Sequence, residues 1–105
     1  MPKSKTLMRM NKGKTRFDLL DWDFVEQMAK VMMFGLSKGY PENNWKQPVK
    51  QIGDIDNSML RHCIADMKGE WLDKESQIPH VVLLAINAMF KYYQVVKNNY
   101  NVQKI

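Results

Sequence analysis

Three segments of this chain carry apolar residues at the spacing of an α-helix, and no segment shows the strict alternation of a β-strand. The apolar positions run from Phe24 to Phe34, from Met59 to Leu72, and from Val81 to Val96 or beyond. A chain of 105 residues can bury only one sizeable apolar core. We therefore expect an all-α fold, a small helical bundle of three to four helices.

Local signals suggest where the first helix begins and ends. Asp23 with Glu26 three residues later predicts an N-terminal capping box, and Gly35 or Gly39 predicts the end of the helix. Residues 39–56 contain Gly, Pro, Asn and Asp at short intervals, which indicates a long loop without regular structure. Because long loops inside compact domains often bind ligands, this segment is a candidate substrate loop.

Similar signals bound the other two helices. Asn57 or Ser58 can cap the start of the second helix, which is expected to continue to Leu72 although Gly69 weakens it in the middle. Pro79 fits the first position of the third helix because that position needs no backbone N–H donor.

The positive charge is concentrated at the N-terminus. The net charge is +5, and six basic residues precede the first acidic one: Lys3, Lys5, Arg9, Lys12, Lys14 and Arg16. We divide the chain into a flexible basic arm, residues 1–13, and a single helical domain, residues 14–105. Such an arm is either a solvated tail or a contact for the phosphates of a nucleotide or nucleic acid.

Cysteine and apolar content bear on compartment and assembly. Cys63 is the only cysteine, and the apolar stretches are too short or too interrupted for a signal peptide or a membrane span, so we expect a cytoplasmic protein. Three Trp and nine Met residues leave more apolar surface than a bundle of this size easily covers. We therefore predict a homo-oligomer, with a dimer favoured.

Polar residues recur along the second predicted helix. His62, Asp66, Glu70 and Asp73 follow one another at intervals of four, four and three residues, which places them within an arc of roughly 80° on a helix. Carboxylates on one face suit a metal ion that binds phosphates. The same spacing is also common on solvated helix faces, so the pattern alone does not distinguish the two interpretations.

One polar residue interrupts the apolar run of the third helix. Asn87 lies between Val81–Ile86 and Ala88–Phe90, where a buried amide needs a hydrogen-bond partner or a ligand. His80 precedes it by seven residues and therefore shares its face. Glu75, in the connection between the helices, can join either this site or the cap of the third helix.

The order of several short motifs resembles that of a known family. The motifs are K-x-R-F-D-L-L at Lys14–Leu20, F-G-x-x-K at Phe34–Lys38, N-W at Asn44–Trp45, R-H at Arg61–His62, G-E-x-x-D-x-E-S at Gly69–Ser76, then His80 and Asn87–Phe90. In this order they resemble the phage dATP/dGTP diphosphohydrolase N-terminal-domain family, which is similar to the MazG-like all-α nucleotide pyrophosphohydrolases. The resemblance covers about residues 14–93.

The resemblance implies an activity and a set of residues. It implies hydrolysis of a purine (deoxy)nucleoside triphosphate to the monophosphate and pyrophosphate with Mg²⁺ or Mn²⁺, in the host cytoplasm if the protein is phage-encoded. Transferred to this chain, it makes Glu70, Asp73 and His80 catalytic candidates and Glu70, Asp73, Glu75 and His62 metal candidates. The substrate-binding candidates are Lys14, Arg16, Lys38, Trp45, Arg61 and Asn87.

Two other functions compete with hydrolysis. A catalytically weakened phage relative would bind a nucleotide or a host protein as an inhibitor, using its Met-rich surface and basic arm. A small nucleic-acid-binding helical protein ranks lowest, because the basic arm alone supports it and no helix-turn-helix pattern is evident. Binding without turnover would identify the first alternative, and binding to duplex DNA that depends steeply on salt would identify the second.

Overall fold

The computed structural model describes residues 5–101, which fold into helices joined by short connections. The α-helices are α1 (Trp22–Ser37), α2 (Ile52–Met67) and α3 (His80–Val96), and two 3₁₀ helices span Phe17–Leu19 and Asn44–Lys46. Across residues 5–101, β structure is limited to an isolated antiparallel bridge between Leu72 and Pro79. The prediction of an all-α fold is confirmed.

Helix α3 is the centre of the packing. Both α1 and α2 pack against it, whereas α1 and α2 do not pack against each other within the described part of the chain. The buried apolar side chains among residues 5–101 are Ile78, Val82 and Ile86, which lie just before α3 or in its first half. The core is therefore small.

Helix α1 begins earlier than the sequence suggested. The Asp21 carboxylate, not that of Asp23, accepts a hydrogen bond from the backbone N–H of Phe24 (3.3 Å), so the predicted cap at Asp23 is wrong. Asp23 lies inside the first turn, where its negative charge complements the helix dipole. Of the two predicted ends, Gly35 and Gly39, the second is close to the observed one. The helix ends just before Gly39, because Gly39 adopts a left-handed conformation (φ +98°).

The predicted start of α2 is wrong by about one and a half turns. The helix begins at Ile52 rather than at Asn57 or Ser58, inside the segment expected to be a loop. The backbone N–H of Ile52 donates to the hydroxyl of Tyr100 (3.2 Å), a residue beyond the end of α3. A distant side chain therefore satisfies the N-terminus of α2, and no local sequence signal reports such a partner.

The predicted end of α2 is also wrong, and this moves two candidate ligands off the helix. Gly69 has φ +97°, and the backbone N–H groups of Gly69 and Glu70 donate to Asp66 and Ala65, the paired hydrogen bonds of a Schellman motif. Glu70 and Asp73 thus lie in the connection after α2. The proposed stripe from His62 to Asp73 on a single helix does not exist.

The connection between α2 and α3 folds back on itself. Backbone hydrogen bonds join Asp73 N–H to Ile78 O (2.9 Å) and His80 N–H to Trp71 O (3.0 Å), on either side of the Leu72–Pro79 bridge. This narrow turn returns the chain so that the start of α3 lies beside the residues that follow α2.

Helix α3 also holds the connection between α1 and α2. The Gln94 amide is buried (2% exposed), donates to the carbonyls of Trp45 and Gln47, and accepts from the N–H of Val49. The Trp45 ring stacks on Phe90, with ring centres 5.3 Å apart. The segment predicted to be an irregular loop is therefore fastened to α3 by both backbone and side-chain contacts.

The remaining features concern the surface. The side chains of residues 5–23 are all exposed, including those of Phe17–Leu19. Among residues 5–101, α1, α2 and α3 all lack the length and apolar character needed to cross a bilayer.

Candidate metal centre and substrate cavity

Two histidines meet where α2 and α3 approach each other. His62 lies in α2 and is half-buried, while His80 is the first residue of α3 and is 4% exposed. Their Nδ1 atoms are 2.8 Å apart. A hydrogen bond at this distance requires that one nitrogen donates and the other accepts, so the pair shares a single proton.

Glu70 fixes one proton of the pair. Its Oε2 lies 2.7 Å from His80 Nε2, and because an ionised carboxylate only accepts, His80 carries a proton on Nε2. When the His80 ring carries only this proton, its Nδ1 accepts and His62 donates from its own Nδ1. In that state the hydrogen bonds run from His62 through His80 to Glu70, and the Nε2 of His62 keeps its lone pair.

Burial affects the charge of the outer histidine. The pKa of His62 is lowered, mainly by desolvation and further by the neighbouring His80 and Arg61, which outweigh the opposite effect of Asp73. Near neutral pH His62 is therefore uncharged, the form that binds metal ions or accepts a proton.

The turn between α2 and α3 presents Asp73 to this pair. Asp73 Oδ2 accepts hydrogen bonds from Ser76, from its backbone N–H (2.9 Å) and from its hydroxyl (2.8 Å). Burial opposes ionisation of Asp73, but these two hydrogen bonds and the nearby His62 and His80 outweigh it and lower the pKa. Asp73 is therefore an anion in the native protein.

Three of these side chains could hold a metal ion together. His62, Asp73 and His80 each offer one ligand atom, and these three atoms lie within 4.8 Å of one another. Two of the ligand candidates from the sequence, His62 and Asp73, are thus brought together, and the catalytic candidate His80 joins them. The other two, Glu70 and Glu75, have different partners: Glu70 contacts His80, and Glu75 forms an ion pair with Lys38 (2.8 Å).

A cavity of about 1010 Å³ opens beside the cluster. His62, Asp73, Glu75 and Lys38 contribute to its polar part. Its walls are otherwise largely apolar, with residues from α1, α3 and the connection after α1: Val31, Met32, Phe34, Pro41, Trp45, Val49, Leu83, Ile86, Met89 and Phe90. The cavity therefore has charged and metal-ligating groups beside a broad apolar surface.

Besides Lys38, two predicted substrate-binding residues line this cavity, Asn87 from α3 and Trp45 from the connection that α3 holds. Asn87 is half-buried, and its Nδ2 donates to the carbonyl of Leu83 one turn earlier (2.9 Å), so the expected partner for this amide is part of its own helix. Trp45 lies against Phe90 and, edge to face, against Tyr93 (4.9 Å). Both side chains are fixed before any ligand binds.

The other cationic candidates lie outside the main cavity. Lys14 and Arg16 line a separate depression of about 350 Å³, and the Arg16 guanidinium binds both oxygens of Asp18 (2.8 and 3.2 Å). Arg61 is exposed and donates to the hydroxyl of Ser58 (2.8 Å). Their contact with a triphosphate stays a prediction.

Sequence reasoning missed the pairing of His62 with His80 and the buried role of Gln94. Eighteen residues separate the two histidines, and only the turn that contains the Leu72–Pro79 bridge brings them together. Gln94 falls in the third apolar segment, as Asn87 does, so its polarity within a core helix was a signal of the same kind.

Comparison with known proteins identifies one family. The family model described as dATP/dGTP diphosphohydrolase, N-terminal, matches residues 4–104, which is almost the whole chain. No curated protein and no solved structure matches the chain. The match extends over both the histidine cluster and the cavity.

Proposed function

The chain belongs to the dATP/dGTP diphosphohydrolase N-terminal-domain family, and from this membership we propose that it hydrolyses a purine (deoxy)nucleoside triphosphate to the monophosphate and pyrophosphate. The observation that carries the proposal is the cluster of His62, Asp73 and His80, two of which, His62 and Asp73, line the polar part of a large cavity. Phosphoanhydride hydrolysis needs a charged, metal-binding centre next to room for a nucleotide, and this arrangement supplies both.

The cavity supports a nucleotide as the substrate. Its volume of about 1010 Å³ is at the upper end of the roughly 300–1000 Å³ typical of small-molecule sites. We propose that the base lies against the apolar wall near Trp45 and Asn87, and that the triphosphate lies toward Lys38 and the histidine cluster. The cation of Lys38, now paired with Glu75, would exchange that partner for a phosphate oxygen.

The residues of the cluster fit a divalent metal ion, because neutral imidazole nitrogen and ionised carboxylate oxygen are both common metal ligands. When bound, such an ion neutralises triphosphate charge and makes a water molecule easier to deprotonate. Hydrolysis then forms one bond from the water oxygen to the α-phosphorus and breaks the bond from that phosphorus to the bridging oxygen. Pyrophosphate leaves with the bridging oxygen, and the proton from water goes to the carboxylate of Glu75, which lines the cavity.

Glu70 has a positioning role in this scheme. Its hydrogen bond holds the His80 ring with Nδ1 directed at His62, as carboxylates commonly do for metal-binding histidines. This contact occupies Glu70 Oε2, whereas Oε1 lies 3.7 Å from the Lys74 Nζ, and metal binding through Glu70, which the family resemblance implies, stays a prediction.

Product analysis tests the proposed reaction. The protein is incubated separately with dATP, dGTP, dCTP and dTTP in the presence of Mn²⁺ or Mg²⁺, and the phosphorus products are identified by ³¹P NMR. We expect pyrophosphate and the monophosphate in equal amounts from a purine substrate. Release of orthophosphate, or no product from any triphosphate, would contradict the proposal.

An exposed apolar face favours a second candidate function, binding of a host protein by a catalytically weakened relative. Leu60, Ile64 and Met67 follow one another along α2 and are 55%, 48% and 78% exposed. Exposed apolar stripes of this kind often mark protein interaction sites. Nucleotide or protein binding without pyrophosphate release would favour this candidate over the enzyme.

A further inference from the structure

The donor atoms of the cluster determine which kind of metal ion it can bind. Two of the three candidate ligands are imidazole rings, and the third is a carboxylate. Mg²⁺ is held mainly by oxygen atoms and keeps several of its water molecules, whereas imidazole suits transition metals such as Fe²⁺, Ni²⁺, Cu²⁺ and Zn²⁺. The composition of the cluster therefore disfavours Mg²⁺, one of the two ions expected from the family resemblance.

We propose that His62, His80 and Asp73 form a three-ligand site for a transition-metal ion, with Glu70 as the positioning residue for His80. The inference rests on the proposed function, because a three-ligand site leaves coordination positions for water and a phosphate oxygen. It goes further in naming the ligand atoms and the class of ion.

The hydrogen bonds of the cluster specify the ligand atoms. His80 Nε2 is held by Glu70, so Nδ1 is its only nitrogen available to an ion. The Nδ1 of His62 lies 2.8 Å from this Nδ1 of His80, so both atoms can bind the same ion. Both hydrogen bonds from Ser76 end on Asp73 Oδ2, which leaves Oδ1 as the oxygen free to bind.

For the two histidines, metal binding needs only a small change in this arrangement. A proton on His62 Nδ1 must move to Nε2, which a neutral imidazole does without changing its net charge. Two nitrogens bound to one ion at about 2.05 Å in tetrahedral geometry are roughly 3.3 Å apart, so the imidazoles must separate by about 0.5 Å. His62 is the half-buried member of the pair and has room to make this adjustment.

Cobalt provides a test that does not depend on catalysis. Tag-free protein is treated with a chelator, dialysed and titrated with Co²⁺, while visible absorption and heat are recorded. We expect a d–d absorption band that saturates at one ion per chain and disappears when Zn²⁺ is added. Excess Mg²⁺ should leave the band unchanged.

Substitutions assign the ligands. His62→Ala and Asp73→Asn should abolish the band, and Glu70→Gln should weaken Co²⁺ binding by about 10–100-fold at unchanged stoichiometry, as expected for a residue that positions a ligand. Asp54→Asn, at an exposed carboxylate in the first turn of α2, is the matched control and should bind Co²⁺ like the wild type. Circular dichroism of each variant checks that helix content is retained.

The outcomes separate this inference from the proposed function. A wild-type protein without the band, displacement of Co²⁺ by Mg²⁺, or a folded His62→Ala protein that retains the band would overturn the metal site. If the metal site is confirmed but no triphosphate is hydrolysed, the proposed function fails alone. If Mg²⁺ supports pyrophosphate release by His62→Ala, hydrolysis stands and the transition-metal site falls.

Discussion

Glu70 illustrates how one contact changes the interpretation of a residue. Its spacing from Asp73 suggested a pair of metal ligands on a helix face, yet its carboxylate lies 2.7 Å from His80 Nε2. Asp73 instead reaches the histidines from the turn, held by Ser76. The sequence therefore drew attention to these residues, but it did not predict the contacts that each of them makes.

The substitution Glu70→Gln should change how far Mn²⁺ raises the melting temperature of the protein. We expect Mn²⁺ to raise the melting temperature of the wild type, since a ligand that binds only the native state at 100 times its Kd adds about 2.7 kcal/mol of stability. In Glu70→Gln the rise should be smaller at the same Mn²⁺ concentration, because His80 is held less firmly. Thermal unfolding followed by circular dichroism measures both, and equal rises in the two proteins would refute the positioning role.

The bounds of the helices were predicted with uneven success, and particular residues explain why. Helix α3 is close to its predicted extent because its apolar run is long and Pro79 precedes it. The end of α2 was misplaced because the apolar spacing continues through Trp71 and Leu72, although Gly69 adopts a left-handed conformation that breaks the helix. Its start was misplaced because its partner, Tyr100, is distant in sequence.

Gly69 therefore controls the geometry of the turn that carries Glu70 and Asp73. Gly69→Ala should destabilise the protein by about 1 kcal/mol, because a side chain disfavours the left-handed conformation even where space for Cβ is available. Gly53→Ala, inside α2 and without a positive φ, should be neutral or slightly stabilising. Urea denaturation compares the two, and equal effects would show that the conformation of Gly69 does not matter.

Gln94 has a corresponding role for the connection between α1 and α2. Gln94→Leu would leave the carbonyl groups of Trp45 and Gln47 and the N–H of Val49 without their present partner, which should cost roughly 2 kcal/mol or more. Since Trp45 lines the cavity, the KM for the nucleotide should also rise.

An exposed glutamine provides the control for this substitution. Gln51→Leu, just before α2, changes the same chemical groups at the surface and should alter stability by less than about 0.5 kcal/mol. Unfolding free energies from urea titrations distinguish the two variants, and similar values would contradict an anchoring role for Gln94.

The whole molecule covers little of its apolar surface. Among residues 5–101, the buried apolar side chains are Ile78, Val82 and Ile86. No residue of α1 or α2 is fully buried, although both helices carry many apolar side chains. Periodicity predicted the helices, but it gave no information on how little of their apolar surface this single chain would cover.

This surface supports the prediction of a homodimer. We expect the wild type to be dimeric at micromolar concentration and Ile64→Glu, in the middle of the exposed stripe of α2, to dissociate it by placing a charge in the contact. Lys50→Glu, an exposed change just before α2, should leave the dimer intact. Light scattering measures the mass of each protein, and a monomeric wild type would refute this prediction.

The central claim is that the histidine and aspartate cluster drives hydrolysis of a nucleoside triphosphate. The most direct test compares initial rates of pyrophosphate release from dATP and dGTP, with Mn²⁺, by the wild type, Asp73→Asn and Asp54→Asn. We predict equal rates for the wild type and Asp54→Asn, and a rate lower by roughly 100-fold or more for Asp73→Asn, because loss of a metal ligand removes several kcal/mol of transition-state stabilisation. Pyrophosphate release by Asp73→Asn at the wild-type rate would contradict the claim.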